Sequence, residues 1–496
     1  MPATRIPPES FFLDRKGHRP IQTQIRETVV SFIQSGHAAP GTHLPSSRKL
    51  AEYLGVARMT VTLAYSELVA QGYLETQNRS GYVVATTDIV TNVGAAVEKD
   101  CDDNALDWKA FLASSLTERR RIVKPVDWRK LPYPFAYGQM DASLFNYAAW
   151  RDCSRQAMGR LDFIDMAGDM ADLDDPLLVN YIRCRSLPRR GISANPDEIL
   201  ITVGAQNGLW LAIELLTRQP LNAVCENPGY PDTLQALTWC GANVNTVDVD
   251  EHGLPPQNIP DGTRAVFITP SHHAPTGVTM PTARKSQLLA DAEEKDFVII
   301  EDDYDFEMSF IEPPSPALKS YDRQGRVIYV GSFSKAMFPG LRLGYLVAPR
   351  EFIAEARELR SMMLRHPPGH LQRTAAYFLA QGHYDLLIRD MRRKLAVRRA
   401  AVLDAIGNTS LTLAGAAKFG GSSLWIKAPD GINTTVLAED LLKDGVMIEP
   451  GAAFFAGQDG PVNFFRLGYS SIPAHQIEQG INLIARRVDK HMAAHD

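Results

Sequence analysis

At 496 residues, 45% hydrophobic and 22% charged, the chain is too long for one ordinary domain, and its composition excludes disordered, collagenous and membrane-embedded classes. The net charge of −5 is uneven: residues 1–85 hold nine Lys and Arg against six Asp and Glu, a balance of +3, which leaves −8 on the remainder. A basic module on an acidic body suits nucleic-acid binding by the small part. The five cysteines (Cys101, Cys153, Cys184, Cys225, Cys240) are widely spaced and form no CxxC pair, which argues against a disulfide framework or a metal site and fits a reducing cytosol. The first residues lack a signal-peptide pattern and no later stretch is apolar enough for a bilayer, so a cytoplasmic location is expected.

Ile21, Ile25, Val29, Phe32 and Ile33 recur at the spacing of one buried helical face, which ends at Gly36 and Pro40-Gly41. A helix over about 47–54, a turn at Gly55-Val56 and a helix over about 58–71 follow, with Leu50, Leu54, Val61, Tyr65, Leu68 and Val69 inward. Such a pair is a helix-turn-helix, whose second helix enters the DNA major groove. Two short strands around residues 77–81 form a wing. Arg58, Thr60 and Thr62 open the recognition helix and are candidates for base contacts, while Ser47, Arg48 and Arg79 are candidates for phosphate contacts. The stretch "GTHLPSSRKLAEYLGVARMTVTLAYSELVAQGYLETQNRSGYVV" resembles the winged helix of GntR-type transcription factors, and the domain is expected over 15–86. The resemblance implies binding to a double-stranded DNA operator.

Residues 87–131 mix acids, small residues and a basic cluster without a sustained period, and are expected to be a linker with a short helix near Trp108–Leu116. From residue 132, strands and helices alternate, predicting a mostly parallel sheet covered on both faces, with ligands at the carboxyl ends of its strands. Gly204-Ala205-Gln206, His272-His273, Asp302-Asp303-Tyr304 and Ser332 to Lys335 all fall at such ends. This set suits pyridoxal 5'-phosphate. Lys335 can condense with the cofactor aldehyde, Asp302 can keep the ring nitrogen protonated, and Tyr304 can bond the ring oxygen. Ala205, Gln206, Ser332, Ser334 and Arg342 can hold the phosphate, and Tyr230 can stack on the ring.

The motifs "NPGYP", "TPSHHAPTGVTMP", "IIEDDYDFE" and "GSFSKAMFPGLRLGY" resemble the type I aminotransferase fold. Behind a GntR winged helix they resemble the MocR/GabR-type subfamily. The expected fold class is therefore an N-terminal all-α winged helix-turn-helix joined to an α/β aminotransferase-like body, with a large domain over 132–349 and a smaller α+β domain over 350–496. The resemblance implies a homodimer. It also implies that Arg466 clamps a substrate carboxylate. Two places depart from the family pattern: Ala274 stands where an asparagine usually bonds the ring oxygen, leaving His273 to compensate, and Asp169 stands where a tyrosine usually reaches the partner's phosphate. Asp232, two residues past Tyr230, is a candidate effector contact. The expected function is a regulator that senses an amino acid or amine through an external aldimine formed by displacing Lys335. A working aminotransferase with an attached DNA-binding segment is the rival, and a GntR repressor whose body binds its ligand without cofactor chemistry is a third possibility.

Overall fold

Helix α1 (Ile21–Gln34) buries Ile25, Val29 and Ile33 on one face. Each such side chain contributes roughly 1.5–3 kcal/mol when taken out of water. Helix α2 (Ser47–Leu54) begins where the Ser46 side chain accepts the Lys49 N–H at 3.3 Å, a side-chain cap for an otherwise orphaned donor. It ends at Gly55, whose φ of 61° admits the sharp turn that a side chain would resist. Helix α3 (Arg58–Ala70) then packs Val61, Ala64, Tyr65 and Leu68 against the same core. Strands β1 (Leu74–Gln77) and β2 (Gly81–Val84) pair antiparallel with Leu74 opposite Val84, giving the wing.

The computed structural model describes residues 5–15, 17, 19–77, 81–86, 108–112, 116–119, 121–139, 141–169, 171–415, 418–457 and 460–493. They divide into two units, one ending at Ser114 and one beginning at Ser115. Arg79 and residues 87–107 of the expected linker lie outside the described residues. Trp108–Phe111 is helical.

The second unit is built on a seven-stranded sheet ordered Ile199–Thr202, Gly344–Val347, Val327–Ser332, Val298–Asp303, Ala265–Ile268, Asn222–Asn227, Asn243–Asp248. Only Gly344–Val347 runs against its neighbours. Helices such as Gly204–Leu216 and Thr282–Glu294 cover the faces, so the strands read as continuous apolar runs rather than alternating ones. The carboxyl ends of six strands and the amino end of the seventh share one edge. Thr202, Asn227, Ile268, Asp303, Ser332 and Gly344 all stand there.

A four-stranded antiparallel sheet, ordered Thr412–Leu413, Ser423–Lys427, Phe464–Gly468, Glu449–Pro450, forms the smaller part. Its register sets Arg466 between Trp425 and Glu449. The last stretch of the expected linker belongs to this unit: Trp128 is buried against Ala136 and Met447, and Ile122 packs on Trp425, Phe454 and Phe455. Apolar side chains in a polar segment find a core only through partners distant in sequence, which is why composition marked 87–131 as linker throughout. Among the described residues no helix is long and apolar enough to cross a membrane.

Candidate functional site

The edge of the large sheet opens on a cavity of about 400 Å³ lined by Lys335, Asp302, Tyr304, Tyr230, Ala205, Gln206, Ser332, Ser334, Arg342, Asp232 and Arg466. The turn after Val327–Ser332 brings Lys335 in. Its Nζ lies 4.5 Å from the centre of the Tyr137 ring and, among the described residues, in no ion pair. Burial pushes its pKa down to about 8, helped by Arg466 and Lys124 and opposed by Asp305 and Glu449. Gly138, at φ 67°, passes so close that a Cβ there would meet Nζ at 2.6 Å. With its pKa lowered and no ion pair among the described residues, this crowded amine reaches its neutral, nucleophilic form at a lower pH than an ordinary lysine.

Asp302, the last residue but one of its strand, is almost fully buried, and its Oδ1 has no hydrogen-bond partner among the described residues. Burial raises its carboxyl to about 7, with Asp303 adding to the rise and Lys335 opposing it. An unsatisfied buried carboxylate is costly, and a pyridinium N–H is the kind of donor that would satisfy it. The residues present therefore fit pyridoxal phosphate. At the other end of the cavity, Ala205 and Gln206 open the helix Gly204–Leu216 beside the buried Ser332 and Ser334. Arg342, left-handed at φ 50°, sets its guanidinium over Gly204, where a Cβ would approach it to 3.1 Å. A helix N-terminus, two hydroxyls and a guanidinium form an anion cradle.

Tyr230 Oη sits 3.0 Å from Gln206 Oε1 and 3.1 Å from Asp232 Oδ2. Tyr304 meets Tyr137 and His272 edge-on. His273 is not on the cavity wall: its Nδ1 is 2.7 Å from Thr276 Oγ1, and its Nε2 is 3.5 Å from the buried Glu226. Ala274 lines the cavity in its place, so this geometry does not bring His273 to the position of the missing asparagine. Asp303 points away, into a buried pair with Arg190 at 2.6 Å and a bond from Tyr329 Oη at 2.7 Å. Asp169 pairs with Arg365 on the surface.

Arg466 does reach the cavity, stacked 3.8 Å from the Tyr137 ring centre, but it is already engaged. Its Nε and Nη2 lie 2.8 and 2.7 Å from Glu449 Oε2. Glu449 Oε1 accepts the Tyr137 N–H at 3.3 Å and lies 3.2 Å from Lys124 Nζ. Burial alone would raise the Glu449 carboxyl, yet Arg466 and Lys124 hold it below the usual range. Lys124, Tyr137 and Glu449 are functional neighbours that the sequence reading missed. They carry no local motif, and Tyr137 and Glu449 are 312 residues apart.

In the first unit, Arg58 opens α3 exposed, with Nε 3.4 Å from Ser47 Oγ. Thr60 and Thr62 follow half-buried, Thr62 Oγ1 donating to the Arg58 carbonyl at 3.0 Å. Arg48 is exposed, whereas Ser47 is buried beneath Arg58 and supports that arginine more directly than it can meet a phosphate.

Residues 178–484 match the model of aminotransferase class I and II, and residues 21–84 match that of bacterial regulatory proteins of the gntR family. The chain is 49% identical over 481 residues to the HTH-type transcriptional regulator TauR of Rhodobacter capsulatus, covering 97% of this chain and 99% of the relative. It is 31% identical over 489 residues to the probable rhizopine catabolism regulatory protein MocR of Rhizobium meliloti, covering 95% and 94%. Among solved structures it is similar to LysN, an α-aminoadipate aminotransferase of Thermus thermophilus complexed with N-(5'-phosphopyridoxyl)-L-leucine. That likeness has a TM-score of 0.67 and 25% identity, over 78% of this chain and all of the other. The kynurenine aminotransferase of Pyrococcus horikoshii, solved with PMP, has a TM-score of 0.66 at 24% identity, over 78% of this chain and 98% of the other.

Proposed function

This chain belongs to the MocR/GabR-type GntR transcriptional regulators, and from that premise we propose that its aminotransferase-like body senses a primary amine by means of pyridoxal 5'-phosphate held on Lys335. The observation that carries the reading is the sharing of one cavity by Asp302, with a buried oxygen unpartnered among the described residues, and Lys335, an amine in no ion pair among them. When bound, the cofactor supplies an aldehyde that amines can exchange on and a ring that withdraws electrons when its nitrogen is protonated.

The chain's own groups then have separate tasks. Asp302 would hold a proton at the ring nitrogen. Arg342, Ser332, Ser334 and the helix start at Ala205 would hold the phosphate, and Tyr230 and Tyr304 would contact the ring. Lys335 Nζ would be the amine that carries the cofactor and that an effector's amine would displace. Sensing requires that the effector bind two global states unequally. The regulator acts as a cytoplasmic homodimer on an operator with two half-sites. The depressed Lys335 amine also suits proton transfer in transamination, so slow turnover of an amino donor with a keto acid is the second reading.

The test is Lys335→Ala in the full chain. It should lose the visible absorbance of lysine-bound cofactor, keep operator binding and lose its response to amines. A variant whose operator binding still responds to amines as the wild type does would refute the sensing reading.

A further inference from the structure

Beside the cavity that holds Lys335 lies a second, much smaller one of about 20 Å³, shared by Glu226, Asp302, Thr233 and Thr269 among apolar neighbours such as Leu209 and Phe267. Its two acids occupy matching places: each is the last residue but one of a parallel strand, Asn222–Asn227 and Val298–Asp303, and each is buried. Glu226 is only half satisfied. Its Oε2 accepts the Thr269 N–H at 2.9 Å and the Thr269 hydroxyl at 2.8 Å, and that hydroxyl oxygen in turn accepts the Ala274 N–H at 3.1 Å. Glu226 Oε1, like Asp302 Oδ1, has no hydrogen-bond partner among the described residues. Two orphaned acceptors on one small cavity are costly. A buried water needs about 10–15 Å³ and two to four polar partners, and this cavity offers both.

Two neighbouring buried carboxylates cannot both stay charged without a cation to answer them. Asp302 also lines the larger cavity, where Lys335 favours its charged form. Glu226 faces instead Cys225 of its own strand, Tyr230 of the turn that follows, and His273, whose Nε2 is 3.5 Å from Oε2. Burial keeps all three uncharged at neutral pH, the thiol and phenol pushed up and the imidazole pushed down to about 3. Burial likewise lifts the Glu226 carboxyl to about 8, opposed by the bonds from Thr269 and reinforced by Asp302. The proton therefore belongs on Glu226, and with two donors already on Oε2 it belongs on Oε1.

We propose that Glu226 is a positioning residue for Asp302: its carboxyl donates from Oε1 to one water in the small cavity, and that water donates to Asp302 Oδ1. A carboxylate oxygen accepts two bonds, so Oδ1 keeps room for a pyridinium N–H. A donor to the charged form holds Asp302 ionised, and an ionised Asp302 leaves the proton on the ring nitrogen. This consequence for the ring rests on the cofactor reading above, whereas the water-linked pair of acids does not.

The test uses the full-length protein as wild type, Glu226→Gln and Glu226→Met. Infrared difference spectra of wild type against Glu226→Gln at pH 7, with and without cofactor, should show the carbonyl stretch of a protonated carboxyl. Its absence in both overturns the inference and leaves the sensing reading untouched. A crystal structure of the wild type should place one water within hydrogen-bond distance of Glu226 and Asp302, and a dry cavity overturns the inference. With cofactor bound, the resonance of an isotopically labelled ring nitrogen should move toward that of neutral pyridine in Glu226→Met, which removes the donor. It should stay near the wild-type position in Glu226→Gln, whose amide N–H replaces the acid proton. A resonance unmoved in folded Glu226→Met overturns the inference; if that variant does not fold, the infrared and crystallographic results decide. A wild type that takes up no cofactor overturns the sensing reading, and the infrared spectra of the cofactor-free protein still decide this one.

Discussion

Glu449 holds Arg466 from the adjacent strand: the two residues are in register, and Arg466 Nε and Nη2 both lie within 2.8 Å of one carboxylate oxygen. The arginine expected to clamp a ligand is thus paired within the protein. Replacing Glu449 by Gln should leave Arg466 as an uncompensated buried cation and cost about 3–5 kcal/mol of stability, read as a fall in denaturation midpoint. The sign with pH follows from the carboxyl being held below its ordinary range. Its contribution is present above the unfolded glutamate pKa and is lost as pH falls through the lower, folded value. An E449Q protein as stable as wild type at pH 7, with the same acid dependence, would contradict the pairing.

Lys335 offers a second pH handle. Its folded pKa of about 8 lies below the ordinary lysine value of 10.5, burial being the largest cause. The unfolded chain therefore binds more protons between those values, and stability rises with pH across about 8 to 10.5. Lys335→Met should flatten that rise in the cofactor-free protein. The rate of cofactor attachment should follow the neutral amine, with a midpoint near 8. Lys124→Met, which removes one of the cations depressing it, should move the midpoint upward. A midpoint near 10.5 in wild type would rule out the buried, crowded lysine described here.

Asp302 and Asp303 make a contrasting pair. Asp302 faces the cavity, while Asp303 is held by Arg190 and Tyr329. Asp302→Asn should weaken retention of the cofactor with little loss of stability, because the charge removed is one the fold does not pair. Asp303→Ala should do the reverse, breaking a buried pair for about 3–5 kcal/mol. Equilibrium dialysis of the cofactor and thermal melts separate the two. Identical phenotypes would refute the assignment.

That contrast also marks how far the sequence could be read. The winged-helix elements were legible because their signals are local: the expected span 58–71 compares with an observed Arg58–Ala70. Lys335, Asp302 and Arg342 were legible because each lies within three residues of the end of a strand whose apolar run is unmistakable. The opposite orientation of Asp302 and Asp303 follows from the two-residue alternation of a strand, but which of them faces the cavity depends on the register with Val330 and Gly331 next door. Glu449, Tyr137 and Lys124 had no signal at all. A lone acid before Pro450 and a lysine in a polar stretch acquire meaning only when the small sheet is folded against residues 121–139.

Arg58 is exposed at the first turn of α3, its Nε propped on the buried Ser47. Arg58→Ala should cost on the order of 1–3 kcal/mol in operator binding if the side chain reads a base. If it meets phosphate, binding should weaken for all sequences and the salt dependence should flatten. Ser47→Ala should give a smaller effect of the same kind, since it acts through Arg58. Binding unchanged in both variants, measured by anisotropy at two salt concentrations, would show that the start of α3 does not contact DNA.

Asp232 bears on what the far end of the effector is. It lines the cavity half-buried, with Oδ2 3.1 Å from Tyr230 Oη, and among the described residues it is in no ion pair. Tyr230 Oη in turn lies 3.0 Å from Gln206 Oε1, so Asp232, Tyr230 and Gln206 share one wall of the cavity. A ligand acid group standing against Asp232 would be repelled, whereas an ammonium or hydroxyl would be attracted. A diamino acid should therefore bind more tightly than a dicarboxylic one of similar length, by about tenfold for roughly 1.4 kcal/mol of differential interaction. Spectral titration with L-ornithine, L-alanine and L-glutamate tests the order, and Asp232→Asn should bring ornithine and glutamate closer together. A wild-type preference for glutamate, or a ratio untouched by Asp232→Asn, would remove Asp232 from the recognition of the ligand.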